Sequence, residues 1–236
     1  MAKRRPAIAL APPAPPPAPI TERDPRLVRT YRCVPRTANV RPATLMRDVV
    51  AGELRVPLFQ RPFVWTDADG LALLESLADG IWPGVIVVWE RYDMPTTPHQ
   101  IAGVGLPGGR VHGSWIVDGQ QRIGSLLRAF TVPGAFSWDV DTMRPVIGNA
   151  GQIPMHVLGE PSALYDWLRA TDEDLLVKLA CRAHDRLSEV AFTMLVLPSS
   201  WTVTDVMDQF RRMNSTGVRF TADELEDALL RAGGET

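Results

Sequence analysis

The feature that most constrains the fold is an abrupt change from strand to helix in the middle of the chain. Trp115-Ile116-Val117 is a short apolar run typical of a buried strand, and a single acid and a glycine separate it from a predicted helix beginning at Gln120 and ending near Phe130. The first turn of a helix has backbone N–H groups without intrahelical partners. A junction of this kind can therefore bind an anion beyond the helix terminus.

The residues at this junction have the chemistry that a bound phosphate requires. Gly119 permits close approach of a phosphate, and Arg122 supplies a permanent charge with a planar donor fork. Asp118 can ligate Mg²⁺, and Gln120 or Gln121 can orient an attacking water. A structural interpretation stays open, in which Asp118 only caps the helix while Gln121 and Arg122 face solvent or pair with nearby acids.

Helices and strands follow one another without regular β-α-β spacing, which favours an α+β domain with a mixed-sheet core and flanking helices. An extended loop between Pro57 and Pro62 is expected to project Gln60 and Arg61 outward. The predicted helices cover about residues 44–54, 67–79, 120–130, 162–169, 172–187 and 204–213, and a last helix is predicted to begin at a capping box at residues 221–224. The predicted strands cover 85–89, 115–117, 136–138, 155–157 and 192–197.

Residues 1–40 read as a disordered, basic, Pro/Ala-rich tail, because the prolines between positions 12 and 19 break the helix that an export signal needs. Residues 1–61 hold 12 Lys and Arg against 4 Asp and Glu, whereas residues 62–236 hold 13 against 23. The basic part is either a solvated arm or a segment that attracts nucleic-acid phosphates. The sequence contains no run of about 18 apolar residues, so we expect a cytoplasmic protein that makes no membrane contact.

Several kinds of site are excluded by the residues that would form them. Cys33 and Cys181 lie far apart without a Cys-x-x-Cys pair, which argues against a disulfide framework or a zinc site. The histidines form neither a His-Asn-His nor a His-Glu-x-x-His arrangement, so the chain is not expected to be a nuclease itself. Tryptophans in apolar runs are explained better by core packing than by base stacking; they are Trp65, Trp89, Trp115 and Trp167.

Three blocks of the sequence, in this order, resemble the domain of unknown function at the N terminus of GmrSD-type modification-dependent restriction enzymes. The first runs from Val56 to Trp65 and contains a Gln-Arg pair before an aromatic residue and a tryptophan. The second is Asp118-Gly119-Gln120-Gln121-Arg122, and the third runs from Phe210 to Thr221. Together the blocks span roughly residues 44–231, so the domain is assigned to residues 41–236.

The resemblance implies a ParB/sulfiredoxin-like core in which the loop and helix after the central strand hold the phosphates of an NTP with Mg²⁺. Asp118, Gln120, Gln121 and Arg122 would contact phosphate, metal or water, and Gln60, Arg61 and Asn214 would close the same pocket. For Arg61 a structural ion pair stays open, and for Asn214 a helix C-terminal cap. A sulfiredoxin-like reductase is rejected because residues 118–122 contain no cysteine.

The resemblance also implies a regulatory role, in which NTP binding and hydrolysis license DNA cleavage by a nuclease subunit. Larger relatives carry an HNH-type nuclease domain at their C-terminus. The present sequence ends at Thr236, so that nuclease is expected to be encoded separately or lost. The alternative is a non-catalytic module that binds DNA or a protein through the basic first 61 residues and the Arg211-Arg212 pair.

Overall fold

The computed structural model describes residues 34–57, 60 and 62–214. The helices among them are α1 (Pro42–Val50), α2 (Asp67–Ala78), α3 (Gln120–Thr131), α4 (Met155–Leu158), α5 (Pro161–Ala170), α6 (Asp174–Glu189) and α7 (Val203–Asn214). The strands are β1 (Arg36–Val40), β2 (Leu54–Arg55), β3 (Val85–Arg91), β4 (His99–Ile101), β5 (Val104–Leu106), β6 (Gly113–Asp118), β7 (Phe136–Asp139), β8 (Arg144–Ile147), β9 (Ile153–Pro154) and β10 (Phe192–Leu197). None of the described helices is long and apolar enough to cross a membrane.

The central sheet has five strands in the order β1-β10-β3-β6-β2. Its pairings are mixed, because β10 lies parallel to β3 and β2 parallel to β6, whereas β1 with β10 and β3 with β6 are antiparallel. The hairpin β4-β5 and the three-stranded sheet β8-β7-β9 stand outside it. The predicted α+β class with a mixed-sheet core is therefore confirmed.

Side chains that alternate along the strands separate two apolar clusters on opposite faces of this sheet. Ile86 and Val88 of β3 belong to the larger cluster, which also contains the apolar stripes of α1, α2, α3 and α6. Val87 and Trp89 of the same strand belong to the smaller cluster, to which α7 contributes Val206. The sheet is thus packed between a layer of several helices and a second layer that contains α7.

A β-bulge interrupts the pairing of β3 with β6 close to the carboxyl end of β6. Val88 lies opposite Ile116, but Val87 lies opposite Asp118, so Val117 is the extra residue. A bulge of this type bends the strand and redirects the residues that follow it. The last residue of β6, Asp118, is therefore placed by an irregularity of the sheet immediately before α3 begins.

The structure corrects three of the predicted elements. The central sheet includes Arg36–Val40, which the sequence had assigned to the tail. The first helix begins at Pro42 rather than after Thr44, because proline is well suited to the first helical position, and it ends at Val50. The apolar run from Met155 is a helical turn instead of a strand, since β9 ends at Pro154, which is the N-cap of that turn.

Candidate functional site

A cleft opens at the carboxyl end of β6, where the strand gives way to α3. Its volume is about 140 Å³, and it is lined by Gln60, Trp65, Val117, Asp118, Gly119, Gln120, Gln121, Arg122 and Phe210. Sites that enclose a whole drug-sized ligand usually measure about 300–1,000 Å³. The cleft therefore fits a part of a ligand, such as phosphate groups, and a larger ligand has to extend beyond it.

The N-terminus of α3 is open toward the cleft. Its N-cap is Gly119, with a left-handed φ of 97°, and none of the described side chains caps the helix. The structural interpretation is therefore wrong about Asp118 as the cap, but it is correct in pairing Arg122 with a nearby acid, which is Asp118 itself. A Cβ on Gly119 would lie 3.1 Å from Cγ1 of Ile86, so the sheet also leaves little room for a side chain here. The uncapped backbone N–H groups of the first turn have the geometry that binds anions.

Arg122 is held at one wall of the cleft by the loop that precedes β3. Its Nη1 donates a hydrogen bond of 3.0 Å to the carbonyl oxygen of Pro83, and its Nη2 lies 3.6 Å from Oδ2 of Asp118. Burial lowers the pKa of Arg122 from its ordinary value, and the nearby Asp118 acts in the opposite direction. The guanidinium is thus a partly buried cation whose orientation is fixed by a backbone carbonyl.

The two glutamines of the motif have different surroundings. Oε1 of Gln121 accepts hydrogen bonds from the backbone N–H groups of Val64 and Trp65, and its Nε2 donates to the carbonyl oxygen of Pro62. This amide is buried and fully engaged with the segment 62–65. Gln120 lines the cleft, and its Oε1 is buried without a hydrogen-bond partner among the residues that the structure describes. The side chain of Gln120 is therefore less constrained by hydrogen bonds than that of Gln121, which ties the helix to the neighbouring loop.

Gln60 turns inward instead of projecting outward as the sequence suggested. Its Nε2 donates to the carbonyl oxygen of Val117 at 2.9 Å and approaches that of Ile116 at 3.3 Å. These carbonyls lie at the bulge, beyond the point where β2 stops pairing with β6. The amide of Gln60 takes the place that a continued strand would occupy and closes one side of the cleft.

A glycine in α3 allows the segment 62–65 to lie against the helix. A Cβ on Gly124 would stand 2.7 Å from the ring of Phe63 and 2.9 Å from Cβ of Ala102, which belongs to the turn between β4 and β5. Alanine at this position would stabilise the helix if no other residue packed against it. Gly124 is thus explained by the close approach of Phe63 and of the hairpin.

The structure brings five predicted residues, Asp118 to Arg122, together with Gln60 at one cleft. Arg61 lies outside the described residues, and Asn214 is the last residue of α7, with a side chain that also falls outside them. The sequence analysis missed Pro83 and Gly84, which position Arg122; a glycine after a proline was the only available signal. Within the described part of the chain no three His, Cys, Asp or Glu side chains gather as a metal site, so a cation here would depend on Asp118 and on a ligand.

Residues 43–231 match the family described as GmrSD restriction endonuclease, N-terminal domain. The match spans every residue that lines the cleft. A comparison with curated proteins finds no match. The matched range covers most of the sequence, and the chain therefore belongs to the GmrSD restriction endonuclease N-terminal domain family, whose members are components of restriction systems.

Proposed function

We propose that this domain binds a nucleoside triphosphate with its phosphates in the cleft at the end of β6, and that it hydrolyses the nucleotide to regulate DNA cleavage in a restriction system. The observation that carries the proposal is the convergence of three phosphate-binding features: the uncapped N-terminus of α3, the Cβ-free Gly119 and the guanidinium of Arg122. Each of them favours a negatively charged, oxygen-rich ligand.

The Mg²⁺ ion that accompanies a nucleoside triphosphate would be held by Asp118. The carboxylate of Asp118 lines the cleft and is 43% exposed. Mg²⁺ is usually held by one or two carboxylates together with substrate phosphates and waters, so a single protein carboxylate fits that donor set. When bound, the ion would neutralise charge on the phosphates. Asp118 would then exchange its contact with Arg122 for the cation, which leaves the guanidinium to the phosphates.

The role proposed for Gln120 is to orient the water that attacks the terminal phosphate. Gln120 lines the cleft at the first turn of α3, and its side-chain amide can form a hydrogen bond with that water and orient the water oxygen toward phosphorus. A bond from the water oxygen to phosphorus forms and the bond from phosphorus to the bridging oxygen breaks, which yields the diphosphate and inorganic phosphate. The proton that the water loses passes to an oxygen of the transferred phosphate and from there to solvent. Gln121 is assigned a positioning role, because its amide is already bonded to Pro62, Val64 and Trp65.

The test is a calorimetric titration with ATP, GTP, CTP and UTP in Mg²⁺, combined with a measurement of phosphate release. Arg122→Ala should abolish binding. Arg128→Ala is the matched control, because Arg128 lies on the same helix and pairs with Asp67 at 2.8 Å, but does not line the cleft. A folded protein that binds none of the four nucleotides would overturn the proposal and support the non-catalytic module that binds DNA or a protein partner.

Gln120→Leu separates binding from hydrolysis. Nucleotide affinity should be kept within about threefold, whereas phosphate release in a single turnover should slow about a hundredfold, which is the order of magnitude lost with one positioned hydrogen bond at a reaction centre. Equal rates in Gln120→Leu and the wild-type protein would remove Gln120 from the reaction while leaving the binding site in place.

A further inference from the structure

One tryptophan stands exposed in the loop that leads from α2 into β3. Trp82 keeps 59% of its surface open to solvent and belongs to neither of the two apolar clusters. It is also not one of the four tryptophans for which the sequence predicts core packing. Burial therefore does not explain the presence of this large aromatic side chain.

The loop holds Trp82 in a defined position. Its indole Nε1 donates a hydrogen bond of 3.3 Å to Oγ1 of Thr193 on β10. The preceding residue, Ile81, donates its backbone N–H to a carbonyl oxygen of α2, and the following residue, Pro83, accepts from Arg122. The indole is thus oriented through one edge, while much of its remaining surface stays open.

Trp82 reaches the same face and the same edge of the central sheet as the cleft. Thr193 pairs with Val85, Asp118 pairs with Val87, and both valines face the smaller apolar cluster. Residues paired across strands point to the same face of a sheet. The strands β10, β3 and β6 are consecutive neighbours. Two strand spacings of about 4.8 Å and two residues of about 3.3 Å therefore separate Thr193 from Asp118, which gives about 12 Å.

We infer that Trp82 binds the base of the nucleotide by stacking on its planar face, an inference that rests on the proposed function. The cavity of about 140 Å³ suits the phosphates, is too small for the whole ligand and does not include Trp82 among its lining residues. Arg122 connects the two places, because it lines the cleft and bonds to the residue that follows Trp82. A ribose with its triphosphate chain spans a distance of the order that separates Asp118 from Thr193.

The experiment compares two probes, ATP and inorganic tripolyphosphate, by calorimetric titration in Mg²⁺. Tripolyphosphate has the phosphates but no base. Trp82→Ala should weaken ATP binding about five- to a hundredfold, as expected for the loss of one stacked ring, and leave the affinity for tripolyphosphate unchanged. The factor lost should be similar for GTP, CTP and UTP, because stacking on an aromatic ring discriminates weakly between bases.

Three further variants separate stacking from other effects of the loop. Trp82→Phe keeps an aromatic ring and should keep most of the ATP affinity, whereas Trp82→Leu is apolar without a ring and should lose it. This pair also carries the test if Trp82→Ala does not fold. Ile81→Ala is the matched control, because Ile81 is the adjacent residue, is 56% exposed and has no ring. It should affect neither probe.

Each remaining outcome decides the inference. Equal losses for ATP and tripolyphosphate in Trp82→Ala would show that the residue acts through Arg122 and would overturn the base contact. An unchanged ATP affinity in the folded variant would overturn it as well, and in both cases the phosphate site stands. A wild-type protein that binds neither probe overturns the proposed function and this inference together.

Discussion

Gly84 lies directly against the guanidinium of Arg122. A Cβ at position 84 would stand 2.5 Å from Nη1 of Arg122, and the φ of Gly84 is +96°. The preceding residue, Pro83, accepts a hydrogen bond from the same Nη1. The turn before β3 thus provides both the acceptor and the space that orient the cation of the cleft.

Gly84→Ala should therefore weaken nucleotide binding without contacting the nucleotide. The guanidinium is the far end of a flexible side chain, so it moves away from the new methyl group, and the phosphates lose a charge-assisted contact of about 1.5–3 kcal/mol. We expect a loss of affinity of about ten- to a hundredfold by calorimetry.

Gly80→Ala is the control for the backbone cost of that change. Gly80 also has a positive φ, +72°, but a Cβ there would meet no atom of the residues that the structure describes within 4 Å. Both variants should lose about 1–2 kcal/mol of stability in urea unfolding, and only Gly84→Ala should lose affinity. Equal affinities in the two variants would show that Gly84 does not position Arg122.

The two neighbouring glutamines should respond differently to the same substitution. Gln121→Leu leaves the N–H groups of Val64 and Trp65 without their acceptor, so it should lower the free energy of unfolding by about 2 kcal/mol or more. Gln120→Leu removes a buried oxygen that has no hydrogen-bond partner in the described part of the chain, and it should leave stability unchanged or raise it. Urea unfolding of both variants checks this, and the reverse order would contradict the assigned roles.

Gly124→Ala should be destabilising although it replaces a glycine in a helix. Helix propensity alone favours alanine by about 1 kcal/mol, but the new methyl group collides with Phe63, and forced repacking typically costs about 1–3 kcal/mol. A double-mutant cycle with Phe63→Ala isolates the collision, because the cost of Gly124→Ala should shrink once the ring is gone. Additive effects would show that Phe63 is not the cause.

Mild acid should reduce stability through His99. Burial, reinforced by the positive charge of Arg55, lowers the pKa of this histidine below its usual value of 6.5. The unfolded chain then binds the proton more readily, so the free energy of unfolding should fall as the pH drops through 6.5 toward the lower pKa of the folded state.

Urea unfolding at about pH 7.5 and about pH 5 measures this loss. His99→Gln should lose less stability between the two values than the wild-type protein. Arg55→Met should also weaken the dependence of stability on pH, because it removes the repulsion between Arg55 and protonated His99 while keeping a side chain of similar length. If His99→Gln and the wild-type protein lost the same free energy of unfolding between the two pH values, the acid sensitivity would belong to other groups.

The parts of the site that depend on neighbours in sequence were predictable, and those that depend on tertiary approach were not. An apolar run followed by Asp118 and Gly119 defines a strand, a turn and a helix start locally. Nothing near Arg122 in sequence indicates that Pro83 and Gly84 will surround its guanidinium. Likewise, helical periodicity does not show that the side chain of Gln121 will form hydrogen bonds with the segment 62–65 while Oε1 of Gln120 has no partner among the described residues.

Errors in the fold have equally specific origins. Thr44 is a good capping residue, but Pro42 at the first helical turn starts α1 earlier. Met155 to Val157 is apolar enough for a strand, yet it forms a turn of helix after Pro154, with Met155 fully buried. The ParB/sulfiredoxin-like assignment, which the resemblance implied, stays a prediction.

The extra residue at Val117 determines the direction in which β6 enters the motif at residues 118–122. Val88 and Val87 are adjacent on β3, whereas their partners Ile116 and Asp118 are two residues apart, so deleting Val117 would let β6 pair regularly with β3 and would remove the bend that directs the residues after it. Asp118, Gly119 and the first turn of α3 would then leave the strand in a different direction. The direction in which α3 begins therefore depends on the number of residues between Ile116 and Asp118, and a deletion of one residue at this point would redirect the motif while leaving every one of its side chains in the sequence.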